Sequence, residues 1–108
     1  MSNVNESEGR IVINNLLVSS GWSMIGDSKN VLVEYRLVKE DGKSGSADYV
    51  LLDNKGKPLV VIEAKSPDKD PLIAKEQARE YSKAIKARYI ILTNSVKHYL
   101  FQYQLKQN

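Results

Sequence analysis

The strongest constraint on the fold is a pair of apolar, β-rich segments separated by a short polar turn. Residues 47–53 (ADYVLLD) and 58–65 (PLVVIEAK) are rich in side chains that pack well on a pleated sheet. The four residues between them, Asn54-Lys55-Gly56-Lys57, are polar and include a glycine, as turns require. Two such strands in direct succession predict an antiparallel β-hairpin.

The spacing within this hairpin brings charged residues together. If the turn is centred between Lys55 and Gly56, Asp48 lies directly opposite Glu63. Opposed residues share a face of the sheet, with Cβ atoms about 5 Å apart. Because side chains alternate along a strand, Lys65 shares that face with Glu63. The pairing depends on an even-length turn, since a three-residue turn with a bulge is expected to move Asp48 to a diagonal position.

Helices and further strands surround the hairpin. Apolar residues recur at helical spacing over residues 6–20, which predicts a first helix, and Trp22 is expected to anchor it to the sheet. A second helix is predicted over residues 71–87, with Asp70 as its cap and Pro71 in its first turn. Residues 40–46 are predicted to form a turn. Additional strands are predicted at residues 31–38, 89–93 and 96–103. The order α-β-β-β-α-β-β indicates an α/β fold, with a mixed β-sheet flanked by helices.

Length and composition narrow the class of protein. A chain of 108 residues predicts a single domain over 1–108, with residues 1–5 as a frayed terminus. It is too short for a motor or kinase domain and has no GxxxxGK[ST] phosphate loop. The absence of cysteine excludes disulfides, zinc-thiolate sites and thiol nucleophiles. With no secretory signal and no apolar run near the ~20 residues of a membrane span, we expect a cytoplasmic protein.

The charged patch on the hairpin predicts a metal site. Two adjacent carboxylates repel each other unless a cation lies between them. Oxygen ligands with open positions suit Mg²⁺, which keeps several of its waters and binds phosphate. A metal held by Asp48 and Glu63 polarises a phosphoryl oxygen and activates water, while Lys65 stabilises the charge that develops on the phosphate. The patch therefore indicates hydrolysis of a phosphodiester.

Two residues of the second helix are candidates for the same site. Gln77 and Tyr81 are four residues apart, so they lie on one face of that helix. A five-residue loop places the first turns of the helix beside the end of the 58–65 strand. Gln77 is expected to orient Lys65 or a phosphate. Tyr81 is expected to pack beneath that group or to contact backbone, although its ring also fits the core face of the helix.

The residues of the patch resemble a known nuclease pattern. Asp48, followed after fourteen residues by Glu63-Ala64-Lys65, is similar to the PD-(D/E)xK nuclease superfamily. Together with Gln77, Tyr81 and the Gly21-Trp22 pair, it resembles the N-terminal nuclease domain of type I restriction enzyme R subunits. The resemblance covers about residues 6–103. One departure is Ala47, which stands where the superfamily name has proline.

The resemblance implies a restriction-endonuclease-like core and a role for each residue of the motif. Asp48 and Glu63 would hold Mg²⁺, with the backbone carbonyl of Ala64 as a further ligand. Lys65 would be the catalytic lysine.

For the helices, the resemblance implies accessory roles. Gln77 would act within the active site, and Tyr81 would support Lys65 or contact the DNA backbone. Relatives also carry a glutamate near the metal on the first helix, for which Glu6 and Glu8 are both candidates, although spacing fixes neither.

The implied function is that of a Mg²⁺-dependent DNA endonuclease domain within a longer R subunit. In such a protein ATP serves only the motor domains, and the partners are DNA and the methyltransferase and specificity subunits. Two alternatives remain open: a stand-alone structure-specific nuclease or resolvase acting as a dimer, and a non-catalytic DNA-binding module of the same fold. The net charge of +3 is compatible with each.

The remaining charged residues are expected to be solvated. Glu76 and Glu80 interrupt the basic residues of the second helix, so an exposed helix face is favoured over a DNA-binding stripe. These basic residues are Lys75, Arg79, Lys83 and Lys86. His98, the only histidine, is expected on the surface of the last strand.

Overall fold

The computed structural model describes residues 6–104, without the side chain of Glu6, and its centre is a five-stranded mixed sheet. The strands lie in chain order, with β3 and β4 parallel and every other neighbouring pair antiparallel. The predicted α/β class and element order are confirmed; residues 1–5 lie outside the described range. The elements are α1 (Glu6–Ser19), β1 (Val31–Val38), β2 (Ser44–Leu52), β3 (Pro58–Ala64), a 3-10 helix (Pro71–Ala74), α2 (Lys75–Ile85), β4 (Tyr89–Thr93) and β5 (His98–Gln102).

The second helix is shorter than predicted at both ends. Asp70 does cap its start, since its Oδ1 accepts the N–H of Leu72 at 2.9 Å, but the capped turn is a 3-10 helix. The α-helix itself begins at Lys75. It ends at Ile85 because Lys86 adopts the left-handed conformation, with φ 59°.

Two strand boundaries also differ from the prediction. β2 begins at Ser44, within the predicted turn, because residues 44–46 pair with residues 36–38 of β1. β5 begins at His98 because the Asn94 side chain organises the preceding turn. The Oδ1 atom of Asn94 accepts the N–H groups of Val96 and Lys97 at 3.0 and 2.6 Å, which keeps both residues out of the ladder.

The hairpin has the predicted register, although its turn does not have the predicted length. Tyr49 pairs with Ile62 and Val50 with Val61, so Asp48 and Glu63 are the next residues along the two strands. The turn spans three residues, because Asp53 N–H donates to the Lys57 carbonyl at 2.8 Å.

A β-bulge offsets this odd-length turn. The pairs Leu51–Val60 and Leu52–Pro58 leave Leu59 as one extra residue in β3. The expectation that a three-residue turn with a bulge would displace Asp48 was therefore wrong. The bulge shifts β3 by one residue and restores the register in which Asp48 faces the end of β3.

Each face of the sheet is covered by one helix. On the α1 face, Ile13 and Leu17 pack against a cluster that includes Tyr49, Leu51 and Ile62, and Trp22 packs at its margin as predicted. On the opposite face, the buried residues of α2 pack against β2, β3 and β4. The main members of that cluster are Ala47, Val50, Val61, Ala78, Tyr81, Ile90 and Leu92.

The first helix is only partly buried. Ile13 and Leu17 are buried, whereas other apolar residues of α1, such as Ile11 and Val18, are largely exposed. No helix within residues 6–104 is long and apolar enough to cross a membrane.

The α2 helix lies very close to β2 at Gly45. A Cβ atom at this position would lie 2.6 Å from Cε1 of Tyr81 and 2.9 Å from its hydroxyl oxygen. Because side-chain atoms do not approach each other so closely, glycine is required where the Tyr81 ring packs on the strand.

Substitution Gly45→Ala is therefore expected to destabilise the domain. Overpacking of this kind costs about 1–3 kcal/mol, which urea denaturation measures directly. Ser46→Ala is the matched control, since Ser46 is the exposed neighbour on the same strand. Equal midpoints for wild type and Gly45→Ala would contradict the close packing of Tyr81.

Candidate active site

Two reciprocal hydrogen bonds hold the predicted carboxylates side by side. Glu63 Oε2 accepts the backbone N–H of Asp48 at 2.8 Å. Asp48 Oδ2 accepts the backbone N–H of Ala64, also at 2.8 Å. The end of the hairpin thus brings Asp48 and Glu63 together, with the Glu63 side chain almost fully buried.

Asp48 lies where the regular alternation of β2 side chains is broken. Tyr49 packs on the α1 face, whereas both Ala47 and Val50 pack on the α2 face. Opposite this break, Glu34 of β1 has a left-handed φ of 48°. Such a conformation costs a non-glycine residue roughly 1–2 kcal/mol, and strain of this kind concentrates at functional sites. The irregularity lets Asp48 contact β3 and α1 at once.

An arginine of the first helix, absent from the sequence-based prediction, completes the surroundings of Asp48. Arg10 Nη2 lies 2.7 Å from Asp48 Oδ1, and its Nη1 lies 3.6 Å from Glu34 Oε1. The contact joins residues 38 positions apart, which no local pattern specifies. The available signal was that Arg10 is the only basic residue in α1.

Lys65 lies directly beyond β3, next to the carboxylates. Its backbone N–H donates to the Thr93 carbonyl at 2.8 Å, which continues the pairing of β3 with β4. Its ammonium group is near enough to Glu63 to lower the pKa of that carboxyl. The structure therefore assembles Asp48, Glu63 and Lys65 at one end of the sheet.

Burial has the largest effect on the pKa of the Glu63 carboxyl. Loss of water, together with the negative charge of Asp48, raises its pKa to about 8. The Asp48 N–H and the Lys65 ammonium act in the opposite direction but do not offset burial. In the absence of a cation, burial thus favours the protonated form of Glu63.

Gln77 and Tyr81 are bonded to each other. Gln77 Nε2 donates to the Tyr81 hydroxyl at 2.8 Å, while the Tyr81 ring is buried between α2 and β2. Tyr81 thus occupies the core, and Gln77 is exposed on the same face of the helix. The hydrogen bond of Gln77 is with Tyr81 rather than with Lys65.

The donor set fits a magnesium ion better than a softer metal. Among the described residues, no group of three or more His, Cys, Asp and Glu side chains is placed to hold a metal ion, so Glu8 does not join Asp48 and Glu63 in such a group. The Glu6 side chain lies outside the described part of the chain. Two carboxylates, with the Ala64 carbonyl as a third oxygen ligand, suit Mg²⁺ because this ion keeps several waters when bound.

The basic residues of α2 are partly engaged within the fold. Lys75 Nζ lies 4.3 Å from the centre of the Phe101 ring, and the Arg79 guanidinium lies 3.8 Å from that of Tyr103. These cation–π contacts join the helix to the chain around β5. His98 is exposed as predicted, and its Nδ1 is 2.7 Å from the Thr93 hydroxyl.

The mixed five-stranded sheet with one helix on each face defines an α/β domain with a restriction-endonuclease-like core. The family model for the type I restriction enzyme R protein N terminus matches residues 22–108. The chain therefore belongs to the family of type I restriction enzyme R protein N-terminal domains.

A solved structure supports the fold. A fragment assigned as an HsdR subunit of a type I restriction enzyme from Vibrio vulnificus YJ016 superimposes with a TM-score of 0.78 at 23% identity. The match covers 95% of this chain and 22% of that one, so the chain spans about a fifth of its relative's length. No curated protein sequence matches the chain.

The raised pKa of Glu63 predicts an unusual pH dependence of stability. The folded protein binds this proton more tightly than the unfolded chain, so its contribution is complete below pH 4.5 and is lost as the pH rises towards 8. In EDTA, the melting temperature of wild type should fall by several degrees across this range, since ~1 kcal/mol moves it by about 4–8 °C.

The variant Glu63→Gln should largely lose this dependence, because its amide does not ionise. Glu40→Gln, at an exposed turn position, should retain the wild-type slope. Parallel curves for wild type and Glu63→Gln would contradict the assignment of the proton to Glu63.

Proposed function

We propose that this chain is a Mg²⁺-dependent DNA endonuclease domain of a type I restriction enzyme R subunit. The observation that carries the proposal is the reciprocal hydrogen bonding that holds Asp48 and Glu63 together beside Lys65. An antiparallel hairpin has no structural need for two carboxylates in contact at its buried end. Their cost is accounted for if they serve to bind a cation.

Each residue of the cluster has a part in the proposed reaction. Asp48, Glu63 and the Ala64 carbonyl would hold Mg²⁺, which when bound supplies Lewis-acid polarisation of the phosphate and a more acidic water. As a ligand, Glu63 would be the ionised carboxylate, its proton having passed to solvent water. Lys65 orients the attacking water and stabilises the negative charge that develops on the phosphate.

The second helix would contribute Gln77 and Tyr81 to the proposed site. The Tyr81 ring packs against β2 at Gly45, and its hydroxyl accepts the hydrogen bond of Gln77. In the proposed complex, Tyr81 holds the Gln77 amide at the rim of the site, where Gln77 contacts a phosphate of the DNA backbone. Gln77 would then affect substrate binding more than metal binding.

The partners follow from the family. DNA is the proposed substrate, and the methyltransferase and specificity subunits are the proposed protein partners of the complete R subunit. ATP would serve only motor domains outside these 108 residues. The match to R protein N termini favours this function over a stand-alone dimeric resolvase, and the assembled Asp48, Glu63 and Lys65 favour it over a non-catalytic module.

Substitution Lys65→Ala in the complete restriction enzyme tests this function. We expect DNA cleavage in Mg²⁺ and ATP to fall at least 100-fold, which is typical when a group that stabilises transition-state charge is removed. ATP hydrolysis, measured in the same reactions, should be unchanged because it belongs to other domains.

The matched control is Lys69→Ala, which removes an exposed lysine from the loop that follows β3. This variant should cleave DNA at close to the wild-type rate. Undiminished cleavage by Lys65→Ala would refute the assignment of the site.

A further inference from the structure

Both oxygens of Asp48 are already engaged. Oδ2 accepts the Ala64 N–H at 2.8 Å, and Oδ1 accepts Arg10 Nη2 at 2.7 Å. The Oδ1 contact joins two oppositely charged groups, whereas the donor to Oδ2 is a neutral backbone N–H. A divalent cation that approaches Asp48 Oδ1 therefore competes with the Arg10 guanidinium for the negative charge of this oxygen.

The surroundings favour a cation at this position. Asp48 and Arg10 side chains are only 20% and 26% exposed, so solvent screens their attraction less than it would on an open surface. The neighbouring Glu63 carboxyl accepts the Asp48 backbone N–H and so holds the two carboxyl groups close together. The guanidinium thus supplies near Asp48 part of the positive charge that a metal ion would bring.

Arg10 also has a second anionic partner within reach. Its Nη1 lies 3.6 Å from Glu34 Oε1, and the Glu34 side chain is 72% exposed. Glu34 faces the break in β2 at Asp48 and has the left-handed backbone conformation described above. A small movement of the Arg10 side chain towards Glu34 would free Oδ1 while keeping the guanidinium paired.

We propose that Arg10 is a placeholder for the metal cation: it pairs with Asp48 before the metal binds and moves to Glu34 when the metal arrives. Arg10 is thus a positioning residue that sets the metal affinity of the site. The inference rests on the proposed function, because it requires Asp48 to be a metal ligand.

Isothermal titration calorimetry of the 108-residue chain with Mn²⁺ tests whether the metal replaces Arg10 at Asp48, and it requires no cleavage reaction. Arg10→Gln removes the competing charge, so Mn²⁺ should bind about tenfold more tightly than to wild type. Glu34→Gln leaves the Arg10–Asp48 pair intact but removes the second partner, so Mn²⁺ should bind a few-fold more weakly.

Two controls separate this effect from general electrostatics and from loss of the site. Arg36→Gln removes the same charge from an exposed position on β1, and its affinity should stay within about twofold of wild type. Asp48→Asn should abolish the binding signal. Circular dichroism checks that each variant is folded. If Arg10→Gln does not fold, Glu34→Gln still tests the proposal.

The outcomes are distinguishable from failure of the proposed function. Asp48-dependent binding that is unchanged or weaker in Arg10→Gln would overturn the placeholder role and leave the metal site standing. Unchanged affinity in Glu34→Gln would overturn the transfer to Glu34. If neither wild type nor Arg10→Gln binds Mn²⁺, both the placeholder role and the proposed metal site are refuted.

Discussion

The site depends on a pair of backbone-to-carboxylate hydrogen bonds that cross the end of the β2–β3 hairpin. Glu63 accepts from Asp48, and Asp48 accepts from Ala64, each at 2.8 Å. Two carboxylates at this separation repel when both are ionised. The two N–H donors offset part of that cost, and a proton on Glu63 and the Arg10 guanidinium beside Asp48 offset more of it.

The position of β3 explains why the Glu63 side chain is buried. β3 is the middle strand of the sheet, with β2 on one side and β4 on the other, so the Glu63 side chain is almost fully removed from water. The same burial raises the pKa of Glu63. The local strain at Glu34 and the break in β2 then allow α1 to reach Asp48 through Arg10. Burial thus affects Glu63, and the contact with α1 affects Asp48, which lies beside it.

The sequence predicted those parts of the molecule that local patterns determine. The element order and the approach of Asp48 to Glu63 follow from hydrophobic alternation and from the position of the turn. The register was nevertheless predicted through a turn of the wrong length, because the bulge at Leu59 compensates for the odd number of turn residues. Short-range patterns do not reveal that kind of compensation.

Contacts between distant segments could not be predicted in the same way. Arg10 reaches Asp48 from 38 residues away, and Asp48 lies at a break in side-chain alternation opposite the left-handed backbone of Glu34 on another strand. The Arg10 contact depends on tertiary packing, which local patterns do not specify. The Gln77–Tyr81 hydrogen bond, by contrast, joins residues four apart on one helix face, and the sequence predicted that they share this face.

The central claim is that Asp48 and Glu63 together bind a divalent cation. An anomalous difference map from crystals of this chain grown with Mn²⁺ tests it most directly, because the peak locates the metal without reference to activity. We predict one peak between the two carboxylates, within bonding distance of both, with the Arg10 guanidinium displaced towards Glu34. A map with no peak at this position, and with Asp48 still bonded to Arg10, would contradict the claim.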